Sequence, residues 1–287
     1  MSFSDFIKGY SERVSGEQED EERIHEARNL AGSLMHDPEI IEGLISFLDL
    51  TKLNATDTFE TVRLLAHKGM KPAVGYDTRV AAVCVYPNRV RYVKEELDGS
   101  GIKVASVAGG FPSGMTSTKV KVEEVKYAID MGADEIDLVI CRGDLLEGAP
   151  GKVYDEVSAV KEMCGQRSLK VIIETCDLET PEMVRLGSMT ALYAGADLIK
   201  TSTGKGKSGA TPEHALVMLD AISEFHRSTG KKTGFKPAGG ISDVKNALLY
   251  WSLVQSVLGD EWLDPGLFRI GASSLLDDII THTKNAG

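Results

Sequence analysis

Ala194-Gly195-Ala196-Asp197-Leu198-Ile199-Lys200-Thr201-Ser202-Thr203-Gly204-Lys205 is the stretch from which the rest of the chain is read. It opens on a small-residue turn, passes through a short apolar strand and ends in a lysine. Hydroxyl residues, a glycine and a second lysine follow. Further on, Gly234-Phe235-Lys236-Pro237-Ala238-Gly239-Gly240 repeats the plan: an apolar stub, a lysine, then glycines. Each is one unit of a strand–loop–helix repeat. Burial disfavours the ammonium form of a strand-end lysine, and a second ammonium nearby disfavours it further. Two such lysines on adjacent units suit imine chemistry on a carbonyl substrate.

Working outward, the same unit recurs. Short β-rich runs are expected at 45–51, 81–86, 102–107, 135–140, 169–174, 196–200, 233–236 and 267–271. Helical patterns lie between them: from Thr56 or Asp57 to about 69, 89–99, 119–131 after a Ser117 cap, 154–164, 181–194, 212–229 and 244–258. Gly132 suits a C-cap, and a last helix starts at Ser273 or Ser274. Strands joined by helix-length connections run parallel. Eight such units within 45–287 predict an α/β fold, a (β/α)8 TIM barrel. An open doubly wound sheet is the alternative, but it usually has fewer strands and often an early G-x-G-x-x-G, which this sequence lacks. Residues 1–44 stand outside the repeat. The acidic run 17–22 reads as the exposed start of a helix through Ile24, Ala27, Leu30 and Ala31. The expected division is an N-terminal helical extension, 1–44, and a barrel, 45–287.

The formal net charge of -11 argues against a nucleic-acid surface, yet a local site on an acidic protein can still be positive. The four cysteines form no C-x-x-C pair and lie in or beside apolar segments, as free thiols of a reducing compartment do. Met1-Ser2-Phe3-Ser4-Asp5 has no basic region before an apolar run, so no secretory signal is expected, and no apolar run has the length of a membrane span.

A parallel barrel gathers its site at the C-terminal ends of its strands. Those ends carry Asp49, Cys84, Asp137, Glu174, Lys200 and Lys236, a set too polar to bury unless its members pair or react. Lys200 reads as a nucleophile whose neutral amine forms an imine. Lys236 reads as the ammonium that lowers its pKa. The plainer readings are a Lys200 paired with Asp197 or Asp137 and a Lys236 that closes a loop. Asp137 shares a strand face with Glu135 by alternation, and serves either as a proton shuttle or as an ion-pair partner. Cys84 reads first as a small buried hydrophobe. Thr203-Gly204-Lys205, Ala238-Gly239-Gly240 and Gly271-Ala272-Ser273-Ser274 follow consecutive strands, where glycines and helix-start N–H groups hold an anion or simply make turns and caps. Gly109-Gly110-Phe111-Pro112-Ser113-Gly114 is either a cover for the barrel mouth or a fixed turn.

At these residues the sequence resembles the deoxyribose-phosphate aldolase family of class I lyases. The resemblance rests on Leu48-Asp49-Leu50-Thr51 with Leu53-Asn54, Val83-Cys84-Val85-Tyr86-Pro87, Gly110-Phe111-Pro112, Gly132-Ala133-Asp134-Glu135-Ile136-Asp137 and Val171-Ile172-Ile173-Glu174-Thr175. The stretches 197–205, 234–240 and 271–276 complete it. It implies a barrel that reversibly cleaves 2-deoxy-D-ribose 5-phosphate to D-glyceraldehyde 3-phosphate and acetaldehyde, with no metal and no cofactor. By resemblance Lys200 is the imine-forming lysine, Lys236 the second active-site lysine and Asp137 the acid–base residue. Asp49 joins the lysine network, and Cys84 lies on the substrate side. Thr203 falls within the same motif, and Gly204, Lys205, Gly239, Gly240, Gly271, Ser273 and Ser274 surround the phosphate. The likeness also implies a sugar phosphate partner, no nucleic acid or membrane, a cytoplasmic setting, deoxynucleoside catabolism and a homodimer. The chain departs from the pattern at Ser242, where some members carry a basic residue, and at its last residues, 281–287, which lack the tyrosine of some members. Phosphate binding is then expected either to be weaker or to rest on Lys205.

Overall fold

The computed structural model describes residues 2–9, 16–73 and 77–286. Parts of the N-terminal extension, residues 1 and 10–15, and the terminal Gly287 lie outside them. The strands are β1 (Leu48–Thr51), β2 (Ala82–Val85), β3 (Lys103–Ala108), β4 (Glu135–Val139), β5 (Ser168–Ile172), β6 (Leu198–Lys200), β7 (Gly234–Lys236) and β8 (Ile270–Ala272). They run parallel in the order β7-β6-β5-β4-β3-β2-β1-β8. The last gap is bridged by Phe235 with Phe268 and by Ala238 with Gly271. The expected eight-stranded barrel is therefore present and nearly closed.

The helices are α1 (Phe3–Lys8), α2 (Glu17–Leu34), α3 (Pro38–Gly43), α4 (Phe59–Met70), α5 (Val90–Glu96), α6 (Thr118–Asp130), α7 (Arg142–Leu146), α8 (Pro150–Cys164), α9 (Pro181–Tyr193), α10 (Pro212–Thr229), α11 (Val244–Leu258) and α12 (Leu275–Ala286). Proline at the first turn and a capping threonine start α9 and α10, where the Thr180 and Thr211 side chains accept from Met183 N–H and His214 N–H. Ser117 caps α6 as expected. Helix α4 is capped by Thr58, not by Thr56 or Asp57. The Asp57 carboxylate instead accepts from Asn54 N–H at 2.7 Å, closing the turn after β1.

Several strand boundaries also move: β5 ends at Ile172, which leaves Glu174 beyond it, and β6 begins only at Leu198. Residues 44–47 form a 3-10 turn, so β1 begins at Leu48. The expected 267–271 strand is divided: its first part meets β7 through Phe268, while 270–272 pair with β1. The loop 109–114 is a fixed turn. Gly109 and Gly110 N–H both donate to the Glu124 carboxylate, at 2.7 and 2.8 Å, and Arg142 donates to Pro112 O at 3.2 Å.

Alternation gives each strand two destinations. Outward residues such as Leu48, Val83, Val104, Ile136, Val171, Ile199 and Phe235 join the apolar core beneath the helices. Inward residues of β2 and β3 are small, with Ala82, Cys84, Ala105 and Val107 in one cluster. Those of β1 and β4 to β7 include the charged residues Asp49, Glu135, Asp137, Lys170, Lys200 and Lys236. Helix α2 lies against α11 and α10, tied by two bonds of 2.8 and 2.7 Å from Arg23 to Asp220. In α1, Phe3 stacks on Tyr154 with ring centroids 4.3 Å apart. No helix among the described residues is long and apolar enough to cross a membrane.

Candidate active site

Lys200 ends β6 and Lys236 ends β7, and their Cα atoms are direct register partners. Side chains at paired positions share a face, so the two lysines enter the interior together. Asp137 reaches them from β4 across the barrel. Its Oδ2 accepts from Lys200 Nζ at 2.7 Å and from Lys236 Nζ at 2.7 Å. Contacts between β4, β6 and β7 cross non-neighbouring strands, which only the interior allows. Lys236 also donates to Asp49 of β1.

Beneath this layer the interior is ionic. Lys170 of β5 pairs with Asp49 at 3.1 Å, with Asp137 at 3.1 Å and with Glu135. Arg269 pairs with Asp49 at 2.6 Å and Glu135 at 2.9 Å. Three carboxylates thus face four cations, and every one of these groups is buried. Full ionisation leaves one surplus positive charge in a low-dielectric core, and deprotonating one lysine restores balance. Lys200 is the candidate. It contacts one carboxylate where Lys170 contacts three, and it alone of the four cations faces the open cavity.

The titration preferences agree. Burial, with Lys236 adding to it, lowers the Lys200 pKa against the pull of Asp137. Burial also acts on Lys236, but Asp137 and Asp49 outweigh it and raise its pKa. Burial pushes Asp137 upward, yet Lys170, Lys200 and Lys236 together hold it well below the usual carboxylate range. The cluster therefore contains an amine biased to neutrality beside a carboxylate biased to charge. Burial and then Asp137 push the Cys84 thiol up to about 11, so it is no thiolate at neutral pH.

Above the cluster opens a cavity of about 270 Å³ with Lys200 in its wall. This lies just below the ~300 Å³ lower end of ordinary ligand pockets, a size for a small substrate. Thr203, Gly204 and Lys205 line it from the loop after β6, and Gly239 and Gly240 from the loop after β7. Gly271 and Ser273 line it from β8 and the turn into α12. Asp49, Asp137, Lys236 and Cys84 lie beneath its floor, and Ser274 is not in its wall. Gly271 has a packing reason to be glycine: a Cβ there falls 2.8 Å from Ala238 Cβ and 3.2 Å from Lys236 Cε. Gly239 (φ 85°) passes so close to Gly209 that a Cβ on Gly209 meets Gly239 O at 2.1 Å. Among the described residues, no group of three or more His, Cys, Asp or Glu side chains is placed to hold a metal ion.

Sequence reading passed over Lys170, Arg269 and Lys52. The signal for the first two was a charge inside an apolar run, which demands a partner. Lys52 follows β1 and enters the cavity wall, 3.9 Å from Asp57. Ser242 is exposed and outside that wall.

The eight-stranded barrel agrees with the known proteins that this chain resembles. The chain belongs to the DeoC/LacD family of aldolases, whose sequence model matches residues 44–278, and it is an aldolase, a carbon–carbon lyase. Its relatives include the deoxyribose-phosphate aldolase of Mus musculus, 48% identical over 247 residues that cover 82% of this chain and 78% of the mouse protein. The Homo sapiens deoxyribose-phosphate aldolase is 47% identical over the same shares. In three dimensions the chain matches deoxyribose phosphate aldolase from Aeropyrum pernix with a TM-score of 0.71 at 25% identity, covering 91% of this chain and 98% of that one.

Proposed function

We propose that this protein reversibly cleaves 2-deoxy-D-ribose 5-phosphate to D-glyceraldehyde 3-phosphate and acetaldehyde through a Schiff base on Lys200. The observation that carries the reading is the neutral-biased Lys200 amine at the cavity floor, 2.7 Å from an Asp137 carboxylate that Lys236 also holds. The relatives named for this aldolase activity support it.

Lys200 Nζ adds to C1 of the open-chain sugar. Asp137 moves protons as the carbinolamine loses water to the protonated imine. That cation draws electrons from the C2–C3 bond as the C3 hydroxyl gives up its proton. C3 leaves as the aldehyde of glyceraldehyde 3-phosphate, and the electron pair remains as an enamine. Protonation at C2 makes the methyl group, and water releases acetaldehyde from Lys200. Lys236 holds Asp137 in place and keeps the Lys200 pKa down. Asp49 holds Lys236 in turn, and Cys84 packs beside the cluster as a neutral thiol.

The phosphate takes the glycine-rich end of the cavity. Gly204, Gly239, Gly240 and Gly271 allow close backbone approach, and Ser273 and Ser274 lead into the N-terminus of α12, whose free N–H groups favour an anion. Lys205 and Lys52 supply positive charge from two sides. A homodimer and a role in deoxynucleoside catabolism in the cytoplasm belong to the same proposal; light scattering of the purified chain tests the dimer.

Borohydride reduction in the presence of acetaldehyde tests the central step. It should add a two-carbon unit to Lys200, and Lys200→Leu should abolish both labelling and cleavage while the far-ultraviolet circular dichroism is unchanged. Labelling at another lysine rejects the assignment. Assaying 2-deoxyribose beside its 5-phosphate, with ketose phosphates as controls, fixes the substrate class.

A further inference from the structure

Glu174 sits among the strand-end acids, yet it takes no part in the interior ionic cluster. It follows β5 with a left-handed backbone, φ 54° and ψ 64°, a region that side chains with a Cβ seldom occupy. Its side chain is buried, and its hydrogen bonds go to the loop after β6 and to the Cys176 thiol. Oε2 accepts from Thr203 N–H at 3.2 Å and from the Thr203 hydroxyl. That hydroxyl accepts in turn from Lys205 N–H at 3.0 Å. Oε1 lies where Gly206 passes: a Cβ on Gly206 falls 3.2 Å from it and 2.8 Å from Cys176 Sγ. At its far end the same loop is fastened to the next one, with Ala210 N–H donating to Ala238 O at 3.0 Å. Between these two anchors lie Gly204 and Lys205, both in the cavity wall.

We infer that Glu174 is a positioning residue for phosphate recognition: by holding Thr203, it sets where Gly204 and the Lys205 N–H and ammonium meet the anion. The inference deepens the sugar-phosphate reading and rests on it. A buried acceptor that binds both the N–H and the O–H of one residue fixes that residue's position and rotamer together. The loop behind it then needs no rearrangement when the anion arrives, and the affinity gained is that of a preorganised site. Glu174 does not touch the reacting carbons, so its influence falls on the phosphate end of the substrate alone.

The test compares wild type, Glu174→Ala and Glu174→Gln on three measurements: steady-state cleavage of 2-deoxyribose 5-phosphate, the same with 2-deoxyribose, and calorimetric binding of inorganic phosphate. Glu174→Ala should raise KM for the phosphorylated sugar and Kd for phosphate by about tenfold, the size of one lost charged hydrogen bond. Its kcat, and kcat/KM for 2-deoxyribose, should stay within about twofold of wild type. Glu174→Gln keeps an oxygen for Thr203 and should recover most of the loss. Equal losses on both sugars, or unchanged phosphate affinity, overturn the inference. Should Glu174→Ala fail to fold, Thr203→Val removes the hydroxyl part of the link, leaves the Thr203 N–H bond to Glu174, and must weaken phosphate binding in its place by a smaller factor. If wild type cleaves neither sugar, the aldolase substrate assignment falls, while the phosphate titrations still decide the role of Glu174.

Discussion

The outward and inward faces of the same strands differ in kind. On β4, Ile136 and Leu138 point into the apolar layer under the helices, while Glu135 and Asp137, one residue away, point into a cluster of ions. The outer layer is cohesive through apolar packing, with the buried Lys121–Glu156 pair (2.9 Å) between α6 and α8 as an exception, and removing a methylene there weakens packing locally. The inner cluster holds together because its charges nearly cancel, and removing one group changes the protonation of the rest. The fold therefore keeps its stability and its chemistry on opposite faces of one sheet. Even inside the barrel the division continues, with small apolar residues on β2 and β3 and ions on β1 and β4 to β7.

The sharpest way to break this contrast is Asp137→Asn. It should lower kcat by about 10²- to 10⁴-fold, the range of a lost acid–base group. With the carboxylate gone, Lys200 loses the group that raises its pKa, so that pKa should fall further. The loss of rate should therefore come without an upward move of the pH profile. Chemical denaturation should show a destabilisation of roughly 3 kcal/mol from the unpaired lysines.

Lys236→Met separates the charge effect from proton transfer. In wild type the folded pKa of Lys200 lies below 10.5, so the folded chain releases a proton that the unfolded chain keeps. Activity, and this group's contribution to stability, should then rise with pH through that interval. Removing the Lys236 ammonium relieves the repulsion on Lys200, and the ascending limb of kcat/KM should move to higher pH. At neutral pH the rate should fall by about tenfold per unit of that movement. A limb that stays in place would show that Lys236 does not tune Lys200.

Ile136→Val, next to Asp137 but on the other face, is the small-effect control. It should cost about 1 kcal/mol in denaturant unfolding and leave the pH profile and kcat unchanged. A shift of the profile in this variant would mean that the two faces are coupled through the strand.

Much of this organisation was legible beforehand, for specific reasons. Lys200 and Lys236 stood out because a lysine ending an apolar strand is conspicuous, and each was followed by glycines. Glu135 and Asp137 were placed on one face by alternation, which the register bears out. Lys170 was passed over because it lies inside its strand, away from any loop motif. Arg269 was hidden because the segment around it serves two neighbours, β7 and β1. Lys52 carried no motif at all, and only its place in the cavity wall marks it.

The amino-acid sequence by itself determined the eight-unit repeat, the direction of the strands and the positions of both lysines, because periodicity and loop chemistry act over a few residues. Which charges meet was decided only in three dimensions. Asp49, Asp137 and Lys236 come from strands 1, 4 and 7, and closure of the barrel brings them within bonding distance. The balance of four cations against three carboxylates, and so the lowered pKa of Lys200, is a property of that closed interior, where low dielectric makes each charge depend on all the others.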